Sequence, residues 1–371
     1  MSRGVRSVVF DGGLLVLGGD DRLFLLDELA AQIWHAIESG LSSSEITEAL
    51  TEANPEQSAS IRRDVTTLLS QWRDKGLLDQ TAPIVRRPPM PAPLFGESAW
   101  ATKWRCRFGD LVVEIAVEDP QQSELLGRRF EHFLTNSADP SACVEVRKSP
   151  DGGVVFVDGH EYARTYTVRN VQRALLGLVW PSHPVCALIH AGAVALGDKV
   201  ACFAGVSGSG KTTLIARLVS KGFTYLADDL AAVSACGRVL PWPMPMSVKL
   251  GSWDTLSESY PTLETAPIFE VKGTLARSLK PATDAWRLGP TKIQVIIFPR
   301  YLRGGATQLS RLTQLDALRC LIKAGFLIES PISTERAETV LQWLGTVPVY
   351  SLSYGDVDEA AASASYLLGA A

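Results

Sequence analysis

The chain has 371 residues, a formal net charge of −4, 46% hydrophobic residues and 20% charged residues. That length predicts two or three domains, and the composition supplies a packed core and excludes global disorder. Charges of both signs are interspersed, with no basic excess to attract nucleic acid and no acidic tail, so no nucleic-acid partner is expected.

Cys106, Cys143, Cys186, Cys202, Cys236 and Cys320 form no C-x-x-C pair, and most sit inside apolar runs. That pattern reads as reduced thiols of a cytosolic core, not as a disulfide framework or a zinc site. The opening stretch MSRGVRSVVFDGG has no apolar signal segment. The longest apolar run, 185–200, is broken by His190, Gly192, Gly197, Asp198 and Lys199, and the apolar tail 360–371 is too short to span a bilayer. A cytoplasmic protein with no membrane partner is expected.

Residues 1–80 read as one small domain. Strands are predicted over 7–11, 14–17 and 22–26, separated by Gly12-Gly13 and Gly18-Gly19. A helix follows Asp27, with Leu29, Ile33 and Ile37 on one face and Gly40 at its end. Ser42 and Glu45 have the spacing of a capping box and open a second helix carrying Ile46 and Leu50. A third helix over 59–75 presents Ile61, Val65, Leu68, Leu69 and Trp72, and Gly76 stops it. Strands followed by three helices predict a winged-helix-like module. A DNA-binding version would need a basic recognition helix, but Arg62, Arg63, Arg73 and Lys75 are offset by Asp64 and Asp74.

Segment 81–97 contains Pro83, Pro88, Pro89, Pro91 and Pro93, which forbid a helix and predict an extended linker. From 98 onward the pattern is mixed α/β. Strands are predicted over 110–117 and 153–157, and helices over 123–133 and 168–178. The expected division is 1–80, the linker 81–97 and a second domain 98–371, the last split into subdomains 98–185 and 186–371.

The strand-like run 199–204 leads into Gly205, Val206, Ser207, Gly208, Ser209, Gly210, Lys211, Thr212 and Thr213. This fits G-x-x-x-x-G-K-[ST] with one extra glycine. Glycines let backbone N–H groups crowd round a phosphate, and the helix predicted over 211–221 turns its positive end toward the same anion. Lys211 would reach the β/γ-phosphates and the Thr212 hydroxyl would ligate magnesium. A dinucleotide fingerprint fits less well, because Thr213 stands where its third glycine belongs.

A second apolar strand, 223–227, ends in Asp228 and Asp229, 17 positions beyond Lys211. One acid can hold magnesium while the other accepts a proton from an attacking hydroxyl. Aspartates also favour strand-ending turns, so the pair carries chemistry only through its coupling to the loop. His190 ends the apolar strand before the loop, a place where histidine is often a satisfied core residue. His35, His132, His160 and His183 show no pairing pattern.

His190-Ala-Gly, the loop 205–213 and Leu226-Ala-Asp-Asp229 together resemble the HPr kinase family and its phosphoenolpyruvate carboxykinase relatives in order and spacing. Segments 241–252 and 291–312 also look like divergent members. The resemblance implies ATP and Mg²⁺, with Lys211 and Thr212 as nucleotide and metal residues. It further implies Asp228 as base, Asp229 as metal partner and His190 beside them, the two aspartate roles being exchangeable. The Gly- and Glu-rich signature of true HPr kinases is missing after the acid pair, and 241–249 reads PWPMPMSVK instead. That departure puts HPr itself in doubt as the substrate. Lys249 and Arg300 are candidate phosphate-clamping cations. The family also implies a homo-oligomer, which the residues themselves leave open.

Residues 1–80 resemble PqqD-like domains, which recognise the leaders of ribosomally made, modified peptides (RiPPs). Leu26-Asp27, Ala31-Gln-Ile-Trp34, Gly40-Leu, Glu45-Ile46, Leu50, Asp64-Val65, Leu68 and Gly76-Leu-Leu78 carry the likeness. It implies a leader adding a strand along Arg22, Leu23, Phe24 and Leu25 and packing on the third helix at Val65 and Leu69.

The expected fold class is therefore α+β in two domains: a small winged-helix-like, PqqD-like domain and a mixed α/β phosphate-loop domain of HPr kinase type. The implied activity is phosphorylation of a Ser or Thr hydroxyl in a precursor peptide, of lasso type by analogy with relatives. Two rivals remain at this level: a small-molecule or carboxykinase-like phosphotransferase, and a non-catalytic, ATP-dependent leader chaperone.

Overall fold

The computed structural model describes residues 5–10, 13–18, 23–53, 55–78, 99–136, 139–149, 152–164, 166–271, 273–280, 283–328 and 333–369. The expected linker 81–97 and Arg22 lie outside the described residues. Two compact units are present: Met1–Ala92 with Thr313–Arg319 and Ile328–Gly345, and Pro93–Leu312 with Cys320–Leu327 and Thr346–Ala371. Among the described residues no helix is long and apolar enough to cross a membrane.

The first unit opens with β1 (Arg6–Phe10), β2 (Gly13–Leu17) and β3 (Leu23–Leu26), antiparallel in that order. Then come α1 (Glu28–Glu38), α2 (Ser43–Ala53) and α3 (Ser58–Asp74). Local chemistry sets the helix starts. The Asp27 carboxylate accepts the Ala30 N–H at 3.0 Å and caps α1. Ser42 and Glu45 form the predicted reciprocal box, with Ser42 N–H on Glu45 Oε2 at 2.8 Å and Glu45 N–H on Ser42 Oγ at 3.3 Å. The core centres on Trp34 and Trp72, edge to face with centroids 5.3 Å apart, among Leu14, Val16, Ile33 and Ile46.

Leu29 departs from its predicted place on the buried face of α1. It is 46% exposed, because the inward stripe runs through Ala30, Ile33 and Trp34. Trp34 sets that rotation: its ring is fully buried while its Nε1 donates to Glu38 Oε1 at 2.9 Å.

The second unit begins with β4 (Thr102–Phe108), β5 (Leu111–Val117), α4 (Pro120–Phe130), β6 (Ala142–Arg147), β7 (Val154–Val157), β8 (His160–Ala163) and α5 (Val168–Val179). The five strands form one sheet in chain order. Asp119 starts α4 by accepting the N–H groups of Gln121 and Gln122, and Thr167 caps α5 at Asn170. Next are β9 (Val185–Ile189), β10 (Ala191–Leu196), β11 (Lys199–Ala204), α6 (Lys211–Ser220), β12 (Thr224–Ala227), β13 (Ala231–Ser234) and β14 (Arg238–Leu240). A separate three-stranded sheet holds β15 (Met246–Lys249), β16 (Ile268–Val271) and β17 (Thr274–Leu279), with α7 (Trp253–Ser257) between the first two. After α8 (Ala285–Leu288), the chain returns through β18 (Thr291–Tyr301) and β19 (Gln308–Arg311). It continues through α9 (Gln314–Ala324), whose start belongs to the first unit, β20 (Leu327–Ile328), α10 (Thr334–Thr346), which belongs to the first unit except for its last residue, and then β21 (Val349–Tyr354) and α11 (Val357–Leu367) of the second.

Strand direction in the larger sheet decides where a site can form. β11 runs parallel to β18, and β18 parallel to β21. β12 is antiparallel to β10, which is antiparallel to β11, so β12 shares the direction of β11. The carboxyl ends of β11, β12, β18 and β21 therefore open on one side, where α/β sheets place ligands. Beneath them lies a core of Val194, Phe203, Leu214, Ile215, Ile297 and Leu352.

We expect Trp34→Ala to remove the keystone of the first unit and to destabilise it by about 3–5 kcal/mol. Equilibrium denaturation of the full chain should show one transition move to lower denaturant while the other stays. An unchanged first transition would show that Trp34 is not the centre of that core.

Candidate functional site

The loop between β11 and α6 is held from several sides. Gly208 and Gly210 take left-handed φ angles of +85° and +95°. A Cβ on Gly210 would collide with the Tyr354 hydroxyl, which donates to Gly210 O at 3.0 Å. Tyr301 N–H donates to Ser209 O at 3.1 Å. Lys211, only 5% exposed, folds back so that Nζ donates to the Gly205 and Val206 carbonyls at 2.6 and 3.0 Å. Burial pushes its amine below the usual lysine range. Lys249 reaches over from β15 and donates to Ser207 Oγ at 2.8 Å, and the Thr213 and Ser252 hydroxyls share a bond of 2.6 Å. The loop, the first turn of α6, Lys211 and Lys249 thus gather donors and positive charge suited to an anion.

The two aspartates ending β12 point to different tasks. Asp229 has φ +64°, and Leu230 N–H reaches back to Asp228 O at 2.8 Å, closing a three-residue turn. A left-handed aspartate is a strained but tolerated conformation, of the kind found at functional sites. Asp228 is 3% exposed, and its Oδ2 accepts the Thr212 hydroxyl at 3.0 Å. Its Oδ1 is buried with no hydrogen-bond partner among the described residues. Burial and the adjacent Asp229 charge raise its carboxyl well above the ordinary range, against the pull of Thr212 and Lys211. Asp229 goes the other way: His190 beside it lowers its pKa, with Arg129 and Lys211 adding to the effect.

His190 Nε2 lies 3.7 Å from Asp229 Oδ1, and its Nδ1 is 3.1 Å from Ala324 O. A carbonyl only accepts, so Nδ1 carries the hydrogen and Nε2 faces the acid. Both residues line a cavity of about 880 Å³, together with the loop, Lys249, Tyr301, Tyr354 and Asp356. That space is in the range of a ligand site, roughly 300–1,000 Å³.

Thr212, which lines the cavity and whose hydroxyl is backed by Asp228 Oδ2, could hold a divalent cation. Among the described residues no group of three or more His, Cys, Asp or Glu is gathered for a metal. An ion here would take one or two protein oxygens and complete its shell from phosphate and water, the habit of magnesium.

Of the residues singled out from sequence, the structure brings Ser207, Gly208, Gly210, Lys211, Thr212, Thr213, Asp229, His190 and Lys249 onto one cavity. Asp228 stands behind Thr212, and Ser209 has a buried hydroxyl with no hydrogen-bond partner among the described residues. Gly205 closes the loop base, its N–H 3.5 Å from His190 O. Arg300 does not join them; it is exposed on β18, away from the cavity lining. In the first unit, Leu23, Phe24 and Leu25 lie on the edge strand β3, but Val65 and Leu69 are 2% and 5% exposed and belong to the core. The face of α3 that borders open space carries Asp64, Thr67 and Leu68. With Asp27, Glu28, Leu29, Ala30 and Gln32 they line a groove of about 620 Å³.

Two cavity residues have no sequence motif to announce them: Arg129 from α4 and Arg169 from α5. They lie 61 and 21 positions before His190, outside the phosphate-loop pattern, and only the packing of α4 and α5 brings them there.

Residues 14–78 match the family described as Coenzyme PQQ synthesis protein D (PqqD). The N-terminal domain is thus PqqD-like, and the match does not extend to the rest of the chain. No curated protein matches the chain. A solved structure described as TbiB1 in Complex with the TbiA(beta) Leader Peptide is 27% identical, covering 22% of this chain and 95% of that one. Its TM-score is 0.21, so it carries no structural argument.

The acid pair depends on a close approach at Gly192 of β10. A Cβ there would strike the Ile215 side chain and press on Ala227 O and Asp228 Oδ1. Gly192→Ala should cost about 1–3 kcal/mol through overpacking. Thermal or denaturant unfolding measures it, and a variant as stable as the parent would show that β10 and α6 are free to part.

Proposed function

We propose that the chain is an ATP- and Mg²⁺-dependent kinase acting on a Ser or Thr hydroxyl of a ribosomally synthesised precursor peptide, whose leader is held by the PqqD-like domain. The observation that carries the chemistry is the Thr212–Asp228 hydrogen bond beside a cavity into which Asp229 opens.

In this reading the loop N–H groups, Lys211 and Lys249 hold the nucleotide phosphates. When bound, MgATP would supply the γ-phosphoryl group and leave as MgADP, its metal offsetting the charge that develops. Thr212, with Asp228 behind it, holds the ion. Asp229 takes the proton from the acceptor hydroxyl as the oxygen attacks in line. The raised pKa of Asp228 would suit a base at neutral pH, but a base must first reach its proton. Asp228 is buried and engaged with Thr212, whereas Asp229 is half exposed and faces the cavity. The geometry therefore supports exchanging the roles expected from sequence: Asp228 on the metal side, Asp229 as base. His190 is then a positioning residue that keeps Asp229 ionised and oriented.

For the leader, β3 is one of the two sheet edges, paired only with β2 among the described residues, and it runs into Asp27 at the open groove beside α3. An unpaired edge next to a groove supports strand addition. The contact surface on α3 moves from Val65 and Leu69 to Thr67 and Leu68.

Asp229→Asn should keep MgATP binding and lose transfer by at least about 100-fold, the scale of one general base. Asp228→Asn should weaken the Mg²⁺ dependence as well. Transfer is read by intact mass of the peptide and binding by a fluorescent nucleotide; the converse pattern would return the base to Asp228. Lys211→Ala should abolish transfer, since a phosphate-clamping charge contributes several kcal/mol in the transition state.

Removing residues 1–80 should leave nucleotide binding intact. It should sharply reduce phosphorylation of a full-length precursor at micromolar concentration, with partial rescue by excess core peptide. Equal turnover by both forms at low substrate would refute leader guidance and favour the small-molecule phosphotransferase.

A further inference from the structure

We propose that Arg129 and Arg169 form an anion subsite on the acceptor side of the cavity, and that the acceptor hydroxyl is flanked by a carboxylate. This deepens the kinase reading and rests on it for the word acceptor.

Arg129 sits in the last turn of α4 and reaches the cavity wall. With the Gln172 amide oriented to satisfy its neighbours, the Gln172 oxygen accepts from Arg129 Nε and Nη2 at 3.0 and 3.2 Å and from Trp242 Nε1 at 3.3 Å. Gln172 is itself 3% exposed, so the guanidinium is fixed by a buried neutral partner. A neutral amide aims a guanidinium but does not neutralise it. Among the described residues no carboxylate lies within ion-pair distance of Arg129, and its Nη1 makes no hydrogen bond. Burial works against the charge, and the aspartates help to keep it. Arg169, in the first turn of α5, is exposed, lines the same cavity and also lacks an ion pair among the described residues. The same cavity wall is apolar at Leu188 and Leu230.

The cavity therefore has two cationic poles. Asp228 and Asp229 help to hold the charge of both Arg129 and Lys211. Nucleotide phosphates have their donors at the loop. A hydroxyl in reach of Asp229 brings its own neighbours toward the arginines, and a planar fork with a free Nη1 suits a carboxylate.

The test is calorimetric titration of the full chain, saturated with a non-hydrolysable ATP analogue and Mg²⁺. The probes are two acetylated, amidated pentapeptides, Gly-Gly-Ser-Asp-Gly and Gly-Gly-Ser-Asn-Gly. The acidic peptide should bind about tenfold tighter or more, the scale of one hydrogen bond to a charged group. Arg129→Gln should erase that preference without changing affinity for the nucleotide analogue, and Arg129→Lys should keep part of it. Arg169→Gln, on an exposed side chain, should reduce it severalfold and serves if Arg129→Gln does not fold. Equal affinities, binding of neither peptide, or a preference that survives both substitutions to Gln overturns the subsite. Phosphate transfer is scored separately. A chain that binds the acidic peptide through its arginines but phosphorylates no peptide refutes the kinase and leaves the subsite standing.

Discussion

Burying the Asp228 carboxylate is the constraint on which the second unit is organised. A carboxylate at 3% exposure is costly unless polar or charged partners meet it. The Thr212 hydroxyl meets one oxygen, and the other rests over Gly192 without a partner. Thr212 can reach only because α6 starts at Lys211, directly after the left-handed Gly210. Gly210 in turn is pinned by Tyr354 at the end of β21. The ends of three strands and one helix are thus tied to a single buried acid. Movement of β12 against α6 would break the Thr212–Asp228 hydrogen bond, so that bond and the packing at Gly192 act together.

The same acid explains why its neighbour looks outward. Two adjacent carboxylates in one dry pocket would repel strongly, and each would raise the other's pKa. The left-handed turn at Asp229 sends the second carboxylate to the cavity and to His190. Its charge is held by histidine, with Arg129 and Lys211 further off, while Asp228 absorbs the cost of burial. The strain of one backbone torsion is what separates the two environments.

Much of this was legible in the sequence, for physical reasons. The caps at Asp27 and Ser42–Glu45, the helix after Gly210 and the strand before Asp228 are local: each is specified by residues within four positions of one another. Leu29 failed because apolar spacing alone does not fix helix rotation, and the large ring of Trp34 did. Val65 and Leu69 failed as contact residues because an apolar residue on a predicted face reads the same whether that face meets the core or a ligand. The roles of Asp228 and Asp229 could not be separated by spacing, since one φ angle decides which carboxylate is buried. Arg129 and Arg169 were invisible: nothing near either marks it, and the cavity exists only once α4 and α5 are packed. Arg300 stood on a strand that enters the site, but strand residues alternate between faces, and its own face leads away.

The cavity and the first unit divide specificity in a way their chemistry supports. In the proposed reading, the acceptor wall offers two guanidinium groups, two leucines and a base, which is enough to orient a hydroxyl but little with which to read a long peptide. The edge of β3 is the reverse: a strand edge gains affinity from main-chain hydrogen bonds with little regard to side chains, and the groove with Leu29 and Leu68 adds apolar contact. Affinity placed in the leader and a charge filter placed at the acceptor relieve each other. A tethered core reaches roughly millimolar effective concentration, so a weak anion subsite is sufficient to select among hydroxyls already delivered. A tight subsite would instead retain a product that has just gained two negative charges near a pair of arginines. In that reading, exposed positive charge at Arg169, with Arg129 held by Gln172, suits release of such a product.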